Sequence, residues 1–331
     1  MIKDKVRKIL NKAAGKKICI VGDVMLDRYM LGNVSRISPE APVQVFEINK
    51  NEHKLGGAAN VSLNLKTLGA EPVLIGVIGD DSEGETLKDV MKRQGQTTEG
   101  LIRIKGRPTT CKTRVIADSH HLIRIDSESK TDISSGVEKK ILDSLKKLTD
   151  DIDIIILQDY NKGVLTLSLI KKIIEFSARS NKKVLVDPKF DNFFEFKNVY
   201  LFKPNRKELH DALGRKTKDE NELISICNQL MESINCQNIV LTLGEHGMKL
   251  FCKTGADIKM HSIKTRARKV ADVSGAGDTV ISTIAVCLSG GADIFETVEI
   301  SNIAAGLVVE EVGIVPIEKN NLIKHIESNN I

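Results

Sequence analysis

The sequence predicts an α/β protein in three layers, a mostly parallel sheet with helices on both faces and a small inserted β-sheet lid. Three observations predict it. Short apolar runs recur along the chain, each closed by Gly, Asp, Pro or Asn. Stretches with helical spacing of apolar residues lie between them, and strand–helix alternation of this kind builds a parallel sheet covered on both sides. Two segments break the rhythm by alternating apolar with polar residues, the period of half-exposed antiparallel strands.

The candidate buried strands are residues 18–21, 73–78, 152–157, 184–186, 199–202 and 239–243. Among the helices between them, one carries Val137, Ile141, Leu142, Leu145 and Leu148 on one face and Glu138, Lys139, Lys140, Lys146 and Lys147 on the other. Residues 167–178 and 222–234 follow the same pattern. The alternating segments span about residues 31–50 and 101–126, with Val43, Val45 and Ile48 in the first and Thr113, Val115 and Ala117 in the second. They are inserted after the first and third sheet elements. They are therefore expected to form a lid over the open edge of one domain spanning 1–331, with no second core.

The composition narrows the function. With 331 residues, 41% hydrophobic and 28% charged, the chain is neither disordered nor fibrous. Aromatic residues are only 4%, with no Trp, which argues against stacking platforms for single strands or glycans. The net charge of +5 is spread along the sequence, so no nucleic-acid partner is indicated. Solvated lysine-rich helix faces explain that balance, although an anionic small substrate also suits it. The six cysteines show no C-x-x-C pair, the first ten residues lack the apolar run of a signal peptide, and no segment reaches ~18 uninterrupted apolar residues. A soluble, cytoplasmic protein with free thiols and no membrane partner is expected. The seven histidines make no metal set.

Residues 271–279 (ADVSGAGDT) run directly into an apolar helix. A helix start leaves backbone N–H groups unpaired and partially positive, and Gly275 and Gly277 would let a phosphate approach them closely. Asp278 sits inside this cradle. The helix start should favour its ionised form, giving a modest base for the attacking hydroxyl in phosphoryl transfer. On local physics alone a capped turn explains the segment equally well. A dinucleotide fingerprint fails because Ile281 stands where the third Gly belongs, and no G-x-x-x-x-G-K-[ST] loop occurs.

Gly56-Gly57-Ala58-Ala59-Asn60 opens another helix, either for close approach to a ligand with Asn60 offering donor and acceptor, or for tight helix–sheet packing. Asp23 and Asp27 lie past the first strand, where ligands of open α/β sheets bind, with turn or cap duty as the alternative. Asn205, Arg206, Lys207 and Glu208 follow another strand. Asn205 and Glu208 have capping-box spacing, and the functional alternative turns both toward nucleotide phosphates, Glu208 acting through magnesium waters. Thr242 to Gly247 is a strand end with two glycines. Arg36, Lys112, Arg114 and Arg124 in the lid read as edge charges or as phosphate ligands.

Taken in order, GDVMLDRY (22–29), SRISPEAPV (35–43), GGAAN (56–60), DPK (187–189), PNRKE (204–208), TLGEHGM (242–248) and DVSGAGDT (272–279) resemble the ribokinase-like carbohydrate kinase family over nearly the whole chain. The first two segments are most similar to its heptose-phosphate branch. The resemblance implies a ribokinase-like sandwich and ATP-dependent phosphorylation of the anomeric hydroxyl of D-glycero-β-D-manno-heptose 7-phosphate, on the route to ADP-heptose and lipopolysaccharide. It implies Asp278 as base and the amides of Gly275, Ala276 and Gly277 as anion hole. Nucleotide and Mg²⁺ would be held by the 205–208 segment and by Thr242, Gly244 and Gly247. Sugar would be held by Asp23, Asp27, Gly56, Gly57 and Asn60, and a monovalent cation such as K⁺ by Asp272 and Ser274. Related kinases also form homodimers through the lid.

Two departures stand out. Val312-Gly313-Ile314-Val315-Pro316 replaces the family's Gly-Thr pair, which bears on the cation loop, and Ser119-His120-His121 replaces polar lid residues such as Asn and Gln. Some relatives fuse the kinase to a nucleotidylyltransferase with an H-x-G-H motif. None occurs before Ile331, so the chain is expected to make the bisphosphate and leave adenylylation to another protein. A kinase for another sugar phosphate and a non-catalytic sugar-phosphate sensor are the competing readings.

Overall fold

A computed structural model describes residues 2–118, 120–148, 150–255, 257–265, 272–311 and 313–329. Ser119, Ala271 and Val312, singled out above, lie outside them. In chain order the first elements are α1 (Lys3–Lys12), β1 (Lys17–Gly22), β2 (Val24–Ile37), β3 (Gln44–Gly57), α2 (Ala58–Thr67), β4 (Glu71–Gly79) and α3 (Ser82–Arg93). There follow β5 (Leu101–Ile104), β6 (Cys111–Ala117), β7 (His120–Ser127), α4 (Ser135–Lys146), β8 (Ile152–Gln158), α5 (Leu167–Arg179), β9 (Lys183–Asp187) and β10 (Leu201–Phe202). The last are α6 (Arg206–Leu213), α7 (Glu220–Ser233), β11 (Asn238–Thr242), β12 (Met248–Thr254), β13 (Asp257–Ile263), α8 (Ala276–Ser289), α9 (Ile294–Val309) and α10 (Lys319–Ser328).

Among the described residues the large sheet has the order β13-β12-β11-β10-β9-β8-β1-β4-β5, parallel from β11 to β5. Its strands alternate between two cores. Ile18, Ile20, Ile154 and Ile156 face α1, α2, α8, α9 and α10, while Cys19, Val21, Ile155 and Leu157 face α4, α5 and α7. Burial on both faces is why these strands read as continuous apolar runs. The antiparallel edge β12–β13 was not foreseen. Its outer strand β13 is half-exposed and polar, so it lacks the apolar signal of an interior strand.

The small sheet has the order β3-β2-β6-β7. Two boundaries differ from expectation. Leu101–Ile104 pairs parallel with β4 and belongs to the large sheet, although its incomplete burial resembles a lid strand because it lies at the sheet edge. At the other side the lid begins at Val24, immediately after β1, and β3 runs on to Gly57.

Register sorts the lid's side chains. Residues paired across strands share a face, so Lys54, Asp27, Lys112 and Asp126 form one row and Glu52, Tyr29, Arg114 and Arg124 the next. That face is charged. The opposite face carries Leu26, Leu55, Cys111 and Val115, all buried, and then Ile123 and Ile125, which are 57% and 53% exposed.

Candidate active site

The loops at the carboxyl ends of β1, β8, β9 and β10 converge on the start of α8, as expected for ligand sites of open parallel sheets. Gly275 caps α8 in the left-handed region with φ +81°, which an L side chain rarely adopts. Asp278 then falls in the first helical turn, 4% exposed. Its Oδ2 accepts from Asn60 Nδ2 at 2.7 Å, and its Oδ1 accepts from Tyr160 Oη at 2.8 Å and Gln158 Nε2 at 3.2 Å. The two glycine-bounded helix starts, α2 and α8, are thereby joined through one carboxyl group.

Burial changes the expectation for this acid. Desolvation pushes the Asp278 carboxyl up to about 7, opposed by the Asn60 hydrogen bond, assisted by the Asp187 charge and opposed again by Tyr160 and Lys203. The helix start does not hold it in the ordinary carboxylate range. A base that titrates near 7 is matched to proton transfer at neutral pH.

Asp187, at the end of β9, pairs with Lys203 at 2.9 Å and accepts from Gln158 Nε2 at 3.0 Å. Lys203 is 2% exposed. A Cβ on Gly277 would stand 3.4 Å from its Nζ, so the ammonium lies directly against the glycine cradle. Lys189 Nζ lies 5.2 Å from the Tyr160 ring centroid and pairs with Glu208. Burial works against its charge, but Asp187 and Glu208 more than compensate and raise its pKa.

Beside this cluster a cavity of about 760 Å³, within the range of small-molecule sites, is lined by Asn205, Arg206, Glu208, Thr242, Gly244 and Gly247. Gly275, Ala276, Gly277 and Asp278 line it together with Tyr160, Lys189 and Lys203. Lys207 is the exception among the predicted group. Its side chain is 83% exposed and pairs with Asp211 one turn on, outside the cavity. Asn205 and Glu208 do form the capping box: Asn205 Oδ1 accepts from Glu208 N and Glu208 Oε2 from Asn205 N, both at 2.8 Å. The cap orients Glu208 so that Oε1 faces Lys189. No group of three or more His, Cys, Asp or Glu able to hold a metal occurs among the described residues.

On the lid side, Asp27 lies on β2 and pairs with Arg114 of β6. A Cβ on Gly56 would collide with the Asp27 carboxylate, and one on Gly57 (φ +56°) would stand 2.5 Å from the Asp23 carbonyl oxygen. These glycines therefore serve close packing, Gly56 against the Asp27 side chain and Gly57 against the Asp23 backbone. Asp23 takes up turn duty, the alternative reading for it. Its carboxylate accepts from the backbone N–H groups of Tyr160 (2.8 Å), Lys162 (3.1 Å) and Val164 (3.2 Å), which fixes the loop that presents Tyr160. Asp272 accepts from the N–H groups of Ser274 (2.8 Å) and Gly313 (3.1 Å), which, against partial desolvation, lower its pKa.

Sequence reading missed Gln158, Tyr160, Asp187, Lys189 and Lys203 as site residues. All five stand at or just beyond the carboxyl ends of parallel strands, a signal the predicted strand ends already offered; their convergence on Asp278 comes from the sheet order.

A buried carboxyl group in a glycine-bounded helix start, next to a nucleotide-sized cavity lined by lysines, fits a phosphotransferase acting on a sugar hydroxyl. Residues 15–320 match the pfkB family carbohydrate kinase description, and the chain belongs to that family. It is 42% identical over 296 residues to the bifunctional protein HldE of Aliarcobacter butzleri, covering 89% of this chain and 61% of that one. Against the bifunctional protein HldE of Desulfatibacillum aliphaticivorans it is 40% identical over 306 residues, 92% of this chain and 62% of the relative. The chain thus spans about 62% of the length of these relatives. In three dimensions it is similar to Arabidopsis thaliana ribokinase complexed with ribose and ATP, with a TM-score of 0.72, 17% identity and 94% and 98% of the two chains covered. Escherichia coli phosphofructokinase-2 in complex with substrates and products gives a TM-score of 0.74 at 16% identity, covering 95% and 99%. The fold is therefore ribokinase-like.

Proposed function

We propose that the protein transfers the γ-phosphoryl group of ATP to the anomeric O1 of D-glycero-β-D-manno-heptose 7-phosphate, yielding the 1,7-bisphosphate on the route to ADP-heptose and the lipopolysaccharide core. The observation that carries this reading is the buried Asp278, held by Asn60, Gln158 and Tyr160 where the nucleotide cavity meets the lid. The sugar assignment is supported by the segments 22–29 and 35–43 and by the identity to the HldE proteins.

In the reaction the sugar O1 attacks the γ-phosphorus, the bond to the β,γ-bridging oxygen breaks, and the O1 proton passes to Asp278. Asn60, Gln158 and Tyr160 fix the direction of the receiving oxygens. The amides of Gly275, Ala276 and Gly277 and the ammonium groups of Lys203 and Lys189 offset negative charge on the transferring group. Glu208 would hold Mg²⁺ through waters, in a cavity also lined by the carboxylates of Asp187, Glu245 and Asp278, a setting that suits an ion that keeps several waters. When bound it would neutralise the phosphates. Asp272 and Ser274 are the proposed K⁺ contacts. Asp27 and Asn60 face the sugar, and the exposed Ile123 and Ile125 suit a lid-mediated homodimer. No described helix is long and apolar enough to cross a membrane, and action in the cytoplasm on dissolved ATP and sugar phosphate is part of the proposal.

The test is ADP release with ATP over a sugar-phosphate panel, with and without K⁺. Turnover of the heptose 7-phosphate no better than that of ribose or fructose 6-phosphate would reject the substrate.

A further inference from the structure

Asn60 donates to Asp278, but a side-chain amide has two ends. Its nitrogen suits the ionised carboxylate, and its oxygen would suit the protonated acid, which can donate. Because burial lifts the carboxyl to about 7, both forms are present near neutral pH. Asp278 alone therefore does not fix which end of Asn60 it meets.

The contact that does so is Asn64, one turn further along α2 and fully buried. Two backbone groups of opposite kind set its own orientation. Its Oδ1 accepts from Ile317 N at 3.0 Å, and its Nδ2 donates to the Asn60 carbonyl oxygen at 2.9 Å. Exchanging the two ends of the Asn64 amide would set donor against donor and acceptor against acceptor, so one orientation is left. Ile317 is itself anchored, since its carbonyl oxygen accepts from Thr67 Oγ1 at 2.6 Å.

So oriented, Asn64 turns its Nδ2 toward Asn60 Oδ1 at 3.4 Å. The contact is long, and its sign matters more than its strength. If Asn60 flipped, its nitrogen would face the Asn64 nitrogen, two donors with no acceptor between them, and both residues are closed to water. The flip is thereby opposed even while Asp278 carries its proton.

We propose that Asn64 is a positioning residue, which locks the Asn60 amide with its nitrogen toward Asp278 and so keeps the acid in the form that accepts the sugar's proton. The inference rests on the reading of Asp278 as the base. Without the lock Asn60 can turn and hold the protonated acid, so the acid limb of the pH–rate profile moves to higher pH. The titratable groups facing Asp278 are Asp187 and Lys189 at and beyond the end of β9, Lys203 after β10 and the Tyr160 hydroxyl after β8. None of them is a hydrogen-bond partner of Asn64 among the described residues, and α2 reaches the acid through the neutral Asn60.

A double-mutant cycle on kcat tests it, at saturating ATP and the best acceptor of the sugar-phosphate panel, from about pH 6 to 9. Asn64→Leu keeps the volume and loses the hydrogen bonds, while Asn64→Asp keeps the acceptor for Ile317 and loses the donations to Asn60. Each should raise the midpoint of the acid limb by about one pH unit, which lowers kcat about fivefold at pH 7 and leaves it nearly unchanged at pH 9, with ATP affinity retained. In an Asn60→Ala background the displacement should be absent for Asn64→Leu and smaller for Asn64→Asp, whose added charge still acts on Asp278. An unmoved limb, an equal displacement in both backgrounds, or a loss of kcat by one factor at every pH rejects the lock, the last making Asn64 a packing residue. If Asn64→Leu fails to fold, Asn64→Asp decides by the same comparison. Wild-type kcat in Asp278→Asn would instead reject the base reading itself.

Discussion

At the scale of single residues, Asp278 shows how burial outweighs a helix start. Its carboxyl is raised from an ordinary 3.8 to about 7. As the base, it makes kcat fall below pH 7 with unit slope. Tyr160→Phe removes a hydrogen bond to the ionised form, so the acid limb of the pH–rate profile moves to higher pH. The hydroxyl of Tyr160 remains the donor throughout, since burial first, and then the Asp278 and Asp187 charges, push it well above its usual value. Asp278→Asn lowers kcat by two or more powers of ten with little change in ATP affinity, measured by single-turnover kinetics and equilibrium binding. Equal losses in both would make the acid structural. The stability sign is opposite to that of a salt-bridged acid. Between pH 4 and 7 the native state holds a proton that the unfolded chain releases, so Asp278 is increasingly destabilising as pH rises through this window. Asp278→Asn should therefore raise Tm at pH 8 and leave it nearly unchanged at pH 4.

At the scale of elements, three strand-end devices can be separated by mutation. Asp23 satisfies three backbone N–H groups of the loop after β8, and each buried donor left unpaired costs ~1–3 kcal/mol. Asp23→Ala should lower urea stability by at least ~3 kcal/mol, and retention of full stability would return Asp23 to a purely sugar-binding role. Gly57→Ala meets both a positive φ and the Asp23 carbonyl, so it too destabilises, by at least ~1–2 kcal/mol. Gly277→Ala differs from both. Its Cβ would meet Lys203 and Asp187 only at 3.4 and 3.8 Å, so the fold should survive while kcat/KM for ATP drops, because the methyl group fills the anion cradle. Most of these elements are legible in the sequence. The parallel strands announce themselves because both faces are buried, and the capping box at Asn205–Glu208 because it is local. The β5 and β13 edges are not, since a strand covered on one side has the same alternation wherever it pairs.

At the scale of the whole molecule, the lid is a sheet with one charged face and an opposite face that carries apolar residues together with Arg28 and His53. Ile123 and Ile125 are more than half exposed beside buried Val115, a contiguous patch that asks for cover. A second copy applied to this face would bury it, and Ile123→Asp should shift the mass measured by light scattering from dimer to monomer. A monomeric wild type would reject the dimer. Whether catalysis follows dimerisation can then be read from the same variant.

The sequence by itself determined the layered α/β architecture, the presence of a lid, and the glycine-bounded helix starts carrying Asn60 and Asp278, because hydrophobic period and turn chemistry are local properties of the chain. It also named Asn205, Arg206, Glu208, Thr242, Gly244 and Gly247, which line the cavity beside Asp278, but missed Tyr160, Asp187, Lys189 and Lys203 and included Lys207, whose side chain a residue-by-residue motif cannot orient. Only the tertiary structure decided that Asn60, Gln158 and Tyr160 converge on one carboxyl group, that Lys203 and Asp187 stand behind the glycines, and that Asp23 holds a loop instead of lying free. The physical reason is separation along the chain. Asp278 is 218 residues from Asn60 and 118 from Tyr160, and its raised pKa arises from water exclusion that no local pattern encodes.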